Sequence, residues 1–146
     1  MSERRTAGVT ALAVFFGTGA AIAFVAAVSL ASPGGWLEPI WRLNPRAGAA
    51  FAGLGPWASV ILAVVGLACL AASIGLARRR KWGHRIAIAL VATNLVGDSV
   101  NAAFGIEPRA IIGIPIAVAL LAYLLSASVR GEFRTEADVA SSTPRG

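Results

Sequence analysis

Residues 86–104 read IAIALVATNLVGDSVNAAF, a run long enough to cross a bilayer as a helix, for which about 20 apolar residues suffice. Three other runs share this character, Val9 to Ala31, Pro56 to Ala77 and Ala110 to Val129, and Asp98 is the one charged residue inside any of the four. Asn94, Asp98 and Asn101 follow one another at spacings of four and three. On an α-helix this spacing puts all three on one face, as a polar seam in an otherwise hydrocarbon-compatible segment.

The surrounding composition fits the same reading. Of the 146 residues, 57% are hydrophobic and 14% charged, with a mean hydropathy of +0.73. Soluble domains carry roughly 25% charged residues, and soluble helices keep one polar face. These runs are apolar all round, so the bilayer is the expected partner and an unusually apolar soluble bundle is set aside.

The net charge of +6 would raise the question of nucleic acid in a soluble domain. Here the basic residues stand at the ends of the runs instead. Arg4 and Arg5 precede the first, Arg78, Arg79, Arg80, Lys81 and Arg85 separate the second from the third, and Arg130 and Arg134 follow the fourth. Arg42, Arg46 and Arg109 alone lie on the opposite side. By the positive-inside rule both termini face the cytoplasm of an inner (plasma) membrane. Nucleic-acid binding is not expected, and the RRRK run is read as attracted to anionic lipid head groups. Twelve arginines against one lysine fit a GC-rich bacterial genome.

The first run could be mistaken for a signal peptide, because Ser29 and Ala31 are small residues at a cleavage-like spacing. It exceeds the roughly 7–15 residues of a signal-peptide core, and it is read as a membrane helix. Its Gly19, Ala23 and Ala27 repeat every four residues and leave a smooth stripe for a neighbouring helix. The connection that follows holds WLEPIWRLNP at 36–45. Its mixed Trp, Leu and Arg suggest a segment lying in the head-group plane. Asn44 and Pro45 form an N-cap and first-turn pair, so a short helix is expected from Pro45, with a break at Gly53, Gly55 and Pro56 before the second span. Pro115 falls in the first turns of the fourth run, where neighbouring helices can satisfy the carbonyl it frees.

The fold class is therefore an all-α integral membrane four-helix bundle, up-down-up-down, with an interfacial segment between helices 1 and 2. Residues 1–132 form the four-span domain, with spans at about 9–31, 56–77, 86–104 and 110–129. Residues 133–146, charged and then rich in Ser, Thr and Pro, are read as a disordered cytoplasmic tail.

For function, the seam is the main lead. Asp98, Asn94 and Asn101, with Arg109 reaching down from the fourth helix, form a candidate intramembrane polar site. A carboxylate facing lipid at that depth costs at least about 2.5 kcal/mol, so Asp98 is expected to turn inward; Ser59 and Trp57 are candidate neighbours at similar depth. His84, among the basic residues of RRRKWGHR, is read as a solvated interfacial histidine. Cys69 is alone, which excludes an intrachain disulfide, a CxxC redox pair and a four-cysteine zinc site. No HExxH, no GxxxxGK and no Ser, His and Asp set at one depth is present.

No catalytic residue, metal site or cofactor is expected, and an enzyme is not. Four short spans with a buried acid are also found in the small multidrug transporters, whose acid stands in the first helix. The first run here has none, so their mechanism does not carry over. WLEPIWRLNP, RRRKWG and NLVGDSVNA resemble stretches of small bacterial four-span membrane proteins, a likeness that implies a fold and brings no activity. Two functions remain open: a non-enzymatic accessory or scaffold subunit that packs against itself or another integral membrane protein, or a small transporter or ligand-binding protein built on the Asp98 seam and working as a homo-oligomer.

Overall fold

The computed structural model describes residues 2–104 and 110–133, all of whose regular structure is helical. Helix α1 runs Ser2–Ala31, a 3-10 turn covers Glu38–Leu43, and α2 (Pro45–Gly53) leads into α3 (Pro56–Ala77). Helices α4 (Lys81–Ala103), α5 (Ala110–Leu125) and the short α6 (Ala127–Glu132) complete the chain. Helices α1, α3 and α4 are each long and apolar enough to cross a membrane. Helix α5 is apolar but shorter, 16 residues with Pro115 inside it, or about 24 Å at 1.5 Å per residue. Large apolar side chains such as Phe15, Ile22, Val64, Val96 and Ile112 point outward. Water would penalise so continuous an apolar surface, and acyl chains would not.

The connection before α3 follows the local chemistry of its residues. Asn44 Oδ1 accepts from the Ala47 amide at 3.2 Å, and Pro45 opens α2, where its missing N–H removes one donor that the helix could not have satisfied. Gly55, with φ +57, takes a left-handed conformation that a side chain would disfavour, and it separates α2 from α3.

Helices α1 and α3 are antiparallel partners along most of their length. The pairings run in opposite senses: Ser73 Oγ donates to the Ala13 carbonyl at 2.7 Å, Gly19 faces Cys69, and Gly66 faces the Phe24 ring. Ala23 and Ala27 of the small-residue stripe are buried, so their lack of bulk does set the close approach.

The α3–α4 connection differs from the sequence reading. The third helix begins at Lys81 instead of Ile86, and the basic loop shrinks to Arg78–Arg80. The reason lies in two glycines. Gly75 and Gly83 meet backbone to backbone, so closely that a Cβ on either would collide with the backbone of the other helix. The Arg80 amide donates to the Gly75 carbonyl at 2.8 Å, and Arg79 closes the turn at φ 51.

The fourth helix also ends earlier than read. Ser126 adopts an extended backbone (φ −61, ψ 145), its side chain accepts from the Val129 amide, and α6 starts beyond it. Phe133, placed in the tail by the sequence reading, is buried. Past it, the stretch read as a tail lies outside the described residues.

The core is concentrated at one end. Val9, Leu12 and Phe16 of α1 meet Leu76 of α3, Ala87 and Val91 of α4, Leu124 of α5, and Val129 and Phe133 of α6. This is the end that carries the basic turn. At the far end α4 has no buried residue beyond Val91.

Two glycine substitutions should separate these environments. Gly83→Ala forces α3 and α4 apart and is expected to destabilise by about 1–3 kcal/mol or more. At Gly97 an added Cβ meets nothing within 4 Å, so Gly97→Ala should stabilise by about 0.5–1 kcal/mol through helix propensity. Thermal melts in detergent test both, and equal effects of the two would contradict this packing.

Candidate functional site

Helix α4 carries the seam toward its far end. Asn94 Nδ2 donates to Asp98 Oδ2 at 3.0 Å, one helical turn apart. The same oxygen lies on Gly113 of α5, in the space a side chain there would fill. Glycine at 113 is thus what lets an acidic side chain sit between two apolar helices. Asp98 and Asn101 are half-buried and Asn94 is exposed on the flank of the bundle. The adjacent Ser99 hydroxyl donates back to the Leu95 carbonyl at 2.7 Å, so it needs no external acceptor.

The Asp98 side chain is directed at α5, not at α3. Ser59 instead lines a cleft near the start of α3, and Trp57 is exposed. Arg109 and Glu107 lie outside the described residues. Among the described residues Asn94 is the hydrogen-bond donor to Asp98, and the two clefts described below do not include either residue.

The larger cleft, about 1160 Å³, opens between the end of α1, the 3-10 turn, α2 and the start of α3. Trp41 organises it. Its indole N–H donates to Ser29 Oγ at 3.0 Å, its ring packs on Phe51 with centroids 5.9 Å apart, and Gly48 lets α2 approach its face. The walls include Leu30, Pro33, Pro39 and Phe51, while Glu38 and Arg42 supply one charge of each sign. Such a space suits an amphiphile at head-group depth. Ser29, read for its small size, is therefore the anchor of the connecting segment.

His84 departs most from its sequence reading. It is not solvated: it is 8% exposed, on the face of α4 that also carries Ala87 and Val91. Its Nε2–H donates to the Leu124 carbonyl at 2.8 Å, and its ring stacks on Phe133 with centroids 4.7 Å apart. The extended backbone at Ser126 interrupts the α5 ladder, and the Leu124 carbonyl, two residues earlier, needs a donor from elsewhere. Histidine supplies it across the helix interface. Above the ring is a second cleft of about 700 Å³, between α4 and α6.

No group of three His, Cys, Asp or Glu able to hold a metal occurs among the described residues. Cys69 is half-buried and unpaired with another cysteine. Comparison with protein families, with curated proteins and with solved structures finds no match.

Replacing His84 with Phe keeps the ring contact and removes the donor. The unpaired Leu124 carbonyl should lower stability by about 1–3 kcal/mol. A thermal melt of His84→Phe no lower than that of the parent protein would contradict the assigned role.

Proposed function

We propose that this chain is a non-enzymatic accessory or scaffold subunit of a membrane assembly, with the flank of α4 as its packing surface. In this reading α5 is a short fourth span, both termini are cytoplasmic, and the chain sits in an inner (plasma) membrane. The observation that carries the proposal is the exposure of Asn94. It lies about 14 Å from the far end of α4 at 1.5 Å per residue, which is hydrocarbon depth. One amide hydrogen is used on Asp98, and the side chain is exposed, which leaves its second hydrogen and its carbonyl oxygen to be met from outside the bundle. In a bilayer such groups are satisfied by another helix, and an Asn has both a donor and an acceptor to offer. Gly97, one turn on, has open space around it, and exposed Thr93 stands beside Asn94. A second transmembrane helix can therefore approach this strip closely.

The transport reading centres on Asp98 and requires a path. The support goes the other way, because the carboxylate is pressed on Gly113 and held by Asn94.

Asn94→Leu is expected to weaken association several-fold, in line with the roughly 0.6–2 kcal/mol of an interhelical hydrogen bond. Counting subunits in native nanodiscs measures this; because the variant also removes the donor to Asp98, the melt of the isolated protein should show a loss of stability as well, by about 1–3 kcal/mol. A wild-type protein that is alone in its nanodisc, or an Asn94→Leu variant that associates as well, would count against the proposal. Proteoliposomes containing wild type or Asp98→Asn should show no proton-coupled flux. A flux that Asp98→Asn abolishes would favour transport.

A further inference from the structure

Among the described residues, eight line the cleft above His84; Lys81, Arg85 and Arg130 are cations and none of the eight is a carboxylate. Lys81 and Arg85 are one turn apart on α4, and Arg130 faces them from α6. The other walls are apolar, with Leu125, Ala127 and Phe133. The floor is rigid, because the His84 ring is fixed between the Leu124 carbonyl and Phe133. Helix α4 begins here without a side-chain cap, so its positive end adds to the field of Arg85 and Arg130. The cleft at the opposite end of the bundle carries both Glu38 and Arg42 and has no such bias.

We infer that this basic cleft is a binding site for the phosphodiester head group of an anionic phospholipid. The chemistry calls for one negative charge joined to an apolar body, since the cations stand at the rim and the apolar side chains form the wall. Its position selects a lipid over a dissolved anion. Lys81 and Arg85 immediately precede the apolar run starting at Ile86, which places their side chains where lipid phosphates lie. The site is at the other end of the bundle from Asn94, and it stands whether or not α4 packs against another helix.

The test is calorimetric titration of the full chain in neutral detergent with dioctanoyl phosphatidylglycerol, with dioctanoyl phosphatidylcholine and with inorganic phosphate. Phosphatidylglycerol should bind saturably at one site. A surface cation contributes about fivefold to anionic-lipid affinity, so Arg85→Gln with Arg130→Gln should weaken binding about 30-fold. Both side chains are exposed, and the variant should keep the melting temperature of the unliganded protein. Arg78→Gln with Arg80→Gln removes the same charge from the neighbouring turn, outside the cleft, and should change the affinity about twofold or less. Equal loss in the two variants would reduce the effect to general surface charge and overturn the site, as would no loss in the Arg85 and Arg130 variant. Phosphatidylcholine binding as tightly would overturn the anionic head group, and inorganic phosphate binding as tightly would overturn the lipid.

Discussion

The contact on which the structure most depends is between two backbones, at Gly75 and Gly83. Helices joined by three residues must either splay or touch at once, and touching is possible only where neither has a side chain. Once these glycines meet, the register of α4 against α3 is fixed. Ala87 and Val91 then point into the space already bounded by Leu76, Leu12 and Phe16. The tight end of the bundle follows from that register. The far end has no comparable constraint on α4, and there Asp98 of α4 rests on Gly113 of α5.

A second constraint acts on every polar group in these apolar helices. Hydrocarbon offers no donor or acceptor, so each group must find one in the protein. Two hydroxyls use backbone carbonyls, Ser73 on Ala13 across helices and Ser99 on Leu95 within its own. Trp41 and Ser29 pair with each other. His84 answers a need created elsewhere, by the interruption at Ser126. No buried side-chain nitrogen or oxygen among the described residues lacks a partner. Asn94 is different because it is not buried, and its spare hydrogen-bonding groups lie on the surface.

The parts of this arrangement that could be read in the sequence are those set by local chemistry. Proline and glycine at 45, 53, 55 and 56 delimit α2 and α3, because their effect on the backbone does not depend on distant residues. The Asp98 seam was legible for the same reason, being a matter of spacing on one helix. Its partner Gly113 was not, since a glycine in an apolar run does not announce what leans on it. His84 was misread because its neighbours in sequence are cations. Its spacing to Ala87 and Val91, three and seven residues, places it on the buried face, but this can be recognised only once the helix is known to begin before Ile86. The contact of Gly75 with Gly83 controls that beginning and is tertiary. The break at Ser126 likewise carries no glycine or proline to mark it.

The two halves of α4 therefore impose different demands on their surroundings. Near the basic turn, Gly83, His84, Ala87 and Val91 are enclosed by four other helices, and nothing further is required to satisfy them. Toward the far end the same helix presents a polar strip that α5 covers only on one side. Asp98 takes the covered side and Asn94 the uncovered one, and the hydrogen bond between them ties the internal carboxylate to the external amide. A helix arriving at Asn94 would compete for or reinforce that bond, and so would act on the contact between α4 and α5. The seam thus divides into an inner half that holds the bundle together and an outer half whose requirements the bundle itself does not meet.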